Sequence, residues 1–301
     1  MNNDISAKFG YMILRNLLRR LPIERFRNPP PRVAVVRLEG VISATMSRFG
    51  RGVVNLQTFE QSLERAFSMP DLAAVALAIN SPGGSAVQSS LVAGRIRALA
   101  EENDIPVFAF VEDVAASGGY WLACAGDEIY ADASSIIGSI GVISASFGFT
   151  DLISRHGVER RIYTAGEHKA TLDPFLPEDP DDVERLKKSQ SEIHDTFKKW
   201  VQSRRGGRLA GPEDELYSGA FWTGGKAREF GLVDAIGDLR SVMRTRYGEK
   251  VRIVRIGGRR SLLSLFRGSS GLAQEAGFAD SIVESSFRAI EERTLWSRIG
   301  L

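Results

Sequence analysis

Cysteine occurs once in the 301 residues and histidine three times. A single thiol rules out an intrachain disulfide framework, so the fold does not depend on an oxidising compartment. No apolar run approaches the ~20 residues that cross a bilayer. Near the basic N-terminus, Tyr11 to Leu14 is too short for the apolar core of a signal peptide. Nothing dictates export, and a cytoplasmic chain is the default expectation. Excess charge is also scarce: 39 Lys/Arg stand against 37 Asp/Glu, which argues against wholesale binding to nucleic acid. There is no Walker loop and no zinc pattern, and Asp132, Asp173 and Asp234 lack metal-ligand spacing. No metal or cofactor is expected.

What is present is the composition of a globular chain, 43% apolar and 25% charged, long enough for one large core or two small ones. Residues 1–32 hold seven Lys/Arg against Asp4 and Glu24. Within them Phe9, Met12, Ile13, Leu17 and Leu21 recur at helical spacing. This basic amphipathic helix over 9–21 suits peripheral contact with an anionic membrane, and equally suits packing on its own domain or a sister subunit. Pro29-Pro30-Pro31 follows as a stiff spacer. A main domain is expected over 33–245, and a basic extension over 246–301 with a last amphipathic helix near Ile282 to Leu295.

In the main domain, apolar runs at Val33–Glu39, Val75–Ile79, Val107–Val111 and Glu128–Ala131 predict strands, and Arg161–Thr164 a further short one. Residues 251–256 alternate like an edge strand. Helices are expected over 55–68, over 86–102 with Val87, Leu91, Ile96 and Leu99 inward, and over 181–205 after the helix-initiating Pro180. The last is long enough to project beyond one core and contribute to assembly. Strand, glycine turn and helix recur, as in an α/β fold of stacked ββα-type units whose sites collect at strand ends.

Two glycine turns fall at such ends, Gly83-Gly84 and Gly118-Gly119, the second directly after Ser117. A serine at a helix entrance is commonly an N-cap. The same place also suits a nucleophile, because close backbone approach and the first helical N–H groups favour an oxyanion. Such a hydroxyl needs a base. His156 reads as a helix C-terminal residue, His168 lies in a short loop and His194 reads as a surface residue of the long helix. None has an obvious orienting carboxylate, so a Ser-His-Asp triad is poorly supported. Lys169 is the one lysine between Lys8 and Lys187; an isolated lysine is ordinarily a solvated charge, but a buried one serves as base. Cys124 has alanine neighbours and reads as a buried structural thiol, and Tyr120 and Trp121 as helix packing.

Asn80-Ser-Pro-Gly-Gly84, Ala116-Ser-Gly-Gly-Tyr-Trp121, Gly138-Ser-Ile-Gly-Val142, Ala165-Gly-Glu-His-Lys169 and Gly231-Leu-Val-Asp-Ala-Ile-Gly237 occur in this order. Together they resemble the signal peptide peptidase A family of serine peptidases, family S49, including its SohB-like branch, over about Val33 to Arg240. The resemblance implies a ClpP/crotonase-like α/β spiral and a ring- or dome-shaped homo-oligomer whose active sites combine adjacent subunits. It implies Ser117 as nucleophile, Lys169 as general base, and Ser139 as the second serine that orients the lysine amine. Gly84, or Gly83, would join the Gly118 amide in an oxyanion hole. Peptides would be the substrates, signal-peptide remnants or other apolar membrane-derived peptides among them. Members often carry an N-terminal membrane anchor; here the 9–21 segment would substitute for it. After Lys169 the sequence Ala-Thr-Leu-Asp-Pro-Phe fits the family only loosely. Two other classes remain: a crotonase-type acyl-CoA enzyme using Glu112 or Asp113, and a catalytically silent scaffold that binds peptides or membranes.

Overall fold

The computed structural model describes residues 29–45, 52–257, 293–297 and 299. The amphipathic segment 9–21 lies outside the described residues, as does most of the expected C-terminal helix; 293–297 are helical.

The chain runs β1 (Arg32–Glu39), α1 (Leu56–Phe67), β2 (Leu72–Ser81), α2 (Ala86–Asn103), β3 (Val107–Ala116), α3 (Gly118–Ala123), β4 (Glu128–Ala131) and β5 (Ile136–Gly138). It continues through α4 (Thr150–Arg155), α5 (Pro180–Arg205), α6 (Glu213–Leu216), β6 (Phe221–Thr223), α7 (Gly224–Glu229), β7 (Ala235–Ile236), α8 (Leu239–Tyr247) and β8 (Arg252–Arg255). One sheet has the order β6-β5-β3-β2-β1-β8, and β4 branches from β3 and carries β7. Among the described residues only β5 with β6 is antiparallel. This is an α/β fold, as expected, with parallel strands handing the chain to helices at their C-terminal ends. The edge strand at 252–255 is present and pairs with β1, so those residues belong to the sheet, past the boundary expected at 245.

The continuous apolar runs of β1 to β3 follow from burial on both faces. Alternate residues go to opposite sides: Val75, Leu77 and Ile79 enter the larger core with α1, α2 and α3, while Ala74, Ala76 and Ala78 meet Met243 of α8. The α2 face differs from expectation. Ser89, Val92, Ala93, Ile96, Leu99 and Ala100 are its buried residues, whereas Val87 and Leu91 are 65% and 45% exposed. Residues 161–164 form no strand; they have no regular secondary structure and are mostly exposed. The long helix begins at Pro180 in its first turn, capped by the Asp179 carboxylate. Of its 26 residues only Phe197, Val201 and Arg205 are buried, so its first half projects.

The corner that precedes Ser117 is made in β3. Ile79 faces Val111 but Ser81 faces Ala115, so β3 carries two more residues than β2 over that step. Before this bulge β3 pairs with β4, and after it with β5. The Asn80 amide donates to Asp113 across the bulge at 2.7 Å. A bulge bends the strand and increases its twist, which turns the end of β3 toward β5 and delivers Ser117.

Candidate active site

Parallel pairing puts Ala116 opposite Gly138, so Ser117 and Ser139 are the next residues beyond a matched pair. The Ser117 N–H donates to the Gly138 carbonyl at 2.8 Å, and the Ser139 N–H to Ala220 at 2.7 Å. Both serines have φ near +52°, a left-handed conformation that costs a non-glycine residue of order 1–3 kcal/mol and is held only by its surroundings. Ser117 carries ψ −121° and its carbonyl accepts from Tyr120 and Trp121, but its side chain makes no capping bond to α3. The N-cap reading of its hydroxyl is thereby set aside: the residue is half-buried and its oxygen is left for another partner.

The Gly83-Gly84 turn lies against this corner. A methyl on Gly83 would stand 2.8 Å from the Ser117 Cβ and 2.9 Å from the Gly118 nitrogen; one on Gly118 would stand 3.4 Å from the Gly84 nitrogen. These glycines are required by close approach as much as by φ. The Gly83 N–H is spent on the Ser81 hydroxyl at 3.2 Å. Gly84 and Gly118 donate to no described residue, and the two lie close together. Of the two glycines considered for the oxyanion partner, Gly84 is the one with a free donor.

Behind the serine, α3 is gripped by the C-terminal half of α5. Trp121 and Phe197 stack at 4.6 Å between centroids, and the Trp200 indole N–H donates to the Trp121 carbonyl at 3.0 Å. Arg204 donates to the Cys124 and Gly126 carbonyls. Orphan carbonyls at the end of a short helix are thus satisfied from a neighbouring one. Arg205, 1% exposed, reaches Asp234 at 2.6 Å and the Gly231 carbonyl at 2.7 Å. His194 is no free surface residue: its Nε2 lies 3.0 Å from the Ile140 carbonyl, one residue past Ser139, and so is directed at backbone rather than at a serine. Cys124 is buried, and burial pushes its thiol up to about 12, as befits a structural residue. Glu112 pairs with Arg37 at 2.7 Å and Asp113 with Asn80, so neither carboxylate of the crotonase alternative is free.

Lys169 stands apart from this cluster. It lies on an exposed tongue, residues 141–179, that leaves the sheet after β5 and returns at α5, and its side chain contacts no described carboxylate or serine hydroxyl. His156 ends α4 as expected, and His168 is exposed beside Lys169. The tongue presents apolar side chains to solvent, among them Phe147 at 70% and Tyr163 at 91% exposure. Surface depressions of the single chain lie along α5, lined by residues such as Val183 and Lys187 or Lys198 and Tyr217, and neither includes Ser117. Among the described residues no cluster of His, Cys, Asp or Glu could hold a metal. Nor is any helix among them long and apolar enough to cross a membrane.

The sequence pattern of Peptidase family S49 matches residues 100–251. The chain is 49% identical over 292 residues to a protein of Brucella abortus named Na(+)/H(+) antiporter NhaA, covering 96% of this chain and 39% of that one. It is 33% identical over 211 residues to the chloroplastic serine protease SPPA of Arabidopsis thaliana, covering 69% of this chain and 31% of that one. It is 32% identical over 215 residues to Protease 4 of Haemophilus influenzae, covering 70% and 33%. The chain thus spans between about a third and two fifths of the length of these relatives.

Proposed function

The chain belongs to peptidase family S49, and from that premise we propose that it is a serine endopeptidase working through a Ser117/Lys169 dyad. The observation that carries this reading is the free Ser117 hydroxyl, held at φ +52° beside two undonated amides, Gly84 and Gly118. An unpaired hydroxyl beside unpaired N–H groups suits an acyl transfer. Neutral Lys169 takes the Ser117 proton as Oγ attacks the peptide carbonyl, with the Ser139 hydroxyl orienting the amine. The Gly84 and Gly118 amides hold the tetrahedral oxyanion. Protonated Lys169 gives its proton to the departing amine, and water, deprotonated by the same lysine, releases the acyl group. The substrates we assign are extended peptides, with signal-peptide remnants and other apolar membrane-derived peptides as the class.

A lysine acts as base only when desolvated, and on a single chain Lys169 is exposed. We assign the desolvating surface to a second copy in a ring-shaped homo-oligomer, built through the exposed apolar tongue and the projecting half of α5. The antiporter name of the Brucella relative describes a protein more than twice this chain's length, and no observation on this chain favours ion transport.

A fluorophosphonate should label the wild-type protein at Ser117, and Ser117→Ala should abolish both labelling and peptide hydrolysis while leaving the fold intact. Lys169→Ala should abolish hydrolysis as well; robust activity in that variant removes the dyad and makes His168 the base to test. Mixing the two inactive variants should restore about a quarter of wild-type activity if each site draws its lysine from a neighbour, by random assortment in a heterologous ring. No recovery argues for a lysine from the same chain.

A further inference from the structure

The tongue that carries Lys169 has its own anchor, separate from the serine corner. The Leu172 N–H, three residues past the lysine, donates to Asp182 Oδ2 at 3.1 Å. Leu172 sits at φ +54°, a left-handed conformation that the local chain would not choose unaided. The other carboxylate oxygen of Asp182 accepts from Arg185, one turn further along α5. With 13% of its side chain exposed, Asp182 is half enclosed between tongue and helix. Next to this anchor the tongue is braced again: Asp173 accepts from Arg160 at 3.0 Å and from the Phe175 N–H at 2.9 Å, and Phe175 stacks on Phe149. Upstream, Thr171 donates to the His168 carbonyl at 2.7 Å. Lys169 therefore projects from a turn whose downstream end is clamped to α5 by one carboxylate.

We infer that Asp182 is the positioning residue of the lysine turn: its carboxylate fixes Leu172 on α5 and so presents Lys169 in one place before a partner surface arrives. This rests on the dyad proposed above. The chemistry supports it in two ways. Arg185, and after it the Leu172 N–H, hold the Asp182 carboxyl below the usual carboxylate range, so it is ionised wherever an amine base would work. An ionised acceptor also makes the stronger bond to a backbone N–H. The clamp leaves the lysine untouched, since it grips the backbone three residues away. Asp182 never meets the substrate; it acts through the place it gives Lys169.

The test measures kcat/KM on a fluorogenic peptide, and the fluorophosphonate rate, for the full-length wild type and for Lys169→Ala, Asp182→Ala, Asp182→Asn and the Asp182→Ala/Lys169→Ala double variant. Asp182→Ala should lower both rates about tenfold or more, the scale of one charge-assisted hydrogen bond. Asp182→Asn keeps an oxygen for the Leu172 N–H and should recover a substantial part. In the Lys169→Ala background, removing Asp182 should cost nothing further in labelling rate, because the two residues act as one unit. A merely structural Asp182 would instead lower both backgrounds alike, with a matching fall in melting temperature, and overturns the inference. So does an Asp182→Ala protein with unchanged or raised activity beside an inactive Lys169→Ala. A Lys169→Ala protein as active as wild type fails the dyad itself, and this role with it.

Discussion

Replacing Gly84 by alanine tests the oxyanion assignment at the point of closest packing. A methyl there would lie 2.1 Å from the Ile42 carbonyl oxygen and 3.0 Å from its nitrogen, at a backbone φ of +137°. Ordinary non-bonded contact is about 3.5 Å, so the turn has to retreat by more than an ångström. Ile42 cannot yield cheaply: its N–H donates to Gly83 at 2.8 Å and its carbonyl accepts from Ser85 at 2.8 Å. The retreat carries the Gly84 amide away from the Gly118 amide with which it would share an oxyanion. A misplacement of that size costs about 100-fold, and an oxyanion donor lost outright about 10²–10³ in kcat, or some 3–4 kcal/mol of barrier. Kcat on a fluorogenic peptide should fall by that factor with KM nearly unchanged, while circular dichroism shows the fold retained and melting drops by a few degrees. Gly94 supplies the control: it lies inside α2 with no atom within 4 Å of a methyl placed on it. Gly94→Ala should leave kcat alone and add about 0.5–1 kcal/mol of stability. A folded Gly84→Ala protein within threefold of wild-type kcat refutes the assignment of that amide.

The buried pair behind α3 makes two further predictions. Arg205→Ala leaves Asp234 with Arg208 and the Ile129 N–H but takes the donor from the Gly231 carbonyl and empties a buried site. It should cost about 1–3 kcal/mol in a urea titration. Arg205→Met, which restores the volume and not the charge, should cost the same if the lost polar bonds dominate, and a clearly smaller loss in Met contradicts that origin. Burial alone would raise the Asp234 carboxyl, but Arg205, the Ile129 N–H and Arg208 outweigh it, and the carboxyl ionises below its ordinary range. A depressed carboxyl contributes stability that is whole above its unfolded value, near 4, and lost as pH falls through the folded value. The difference in stability between wild type and Asp234→Asn should therefore be flat from about pH 5 upward and shrink below about pH 4. Cys124, with its thiol raised to about 12, should resist a thiol reagent at pH 8 in the native protein and react fully in denaturant. Native labelling at the rate of a free thiol contradicts its burial.

Strand positions were readable because burial on both faces of the sheet writes unbroken apolar runs, and α5 because Pro180 marks its first turn. The glycine turns at the ends of β2 and β3 were readable because tight turns at strand ends admit few residue types. The inward face of α2 was not. It packs with Ser89, Ala93 and Ala100, whose small side chains permit close approach and carry little hydropathy, while the larger Val87 and Leu91 point outward. The partner switch of β3 was hidden for a similar reason, since Glu112 and Asp113 look like a strand end when they are a bulge inside a longer strand. Gly83 and Gly84 could be told apart only by where the Ser81 hydroxyl goes. His194 and Asp182 bond to backbone groups 54 and 10 residues away, which no local pattern encodes.

The lysine turn and the backbone beside Ser139 are held at two points along one rod. Asp182 holds the lysine turn and His194 the backbone beside Ser139, and twelve residues of helix between them span about 18 Å. From Leu172 back to Lys169 the chain extends at most about 10 Å. A lysine serving the serine of its own chain would be helped by release of the turn from Asp182, whereas one serving a neighbour gains from staying clamped. The sign of the Asp182→Ala effect therefore reports on the architecture of the site. A loss of activity fits a lysine presented outward to a second copy. A gain fits a tongue that must swing back, and it would be accompanied by failure of the Ser117→Ala and Lys169→Ala proteins to complement each other.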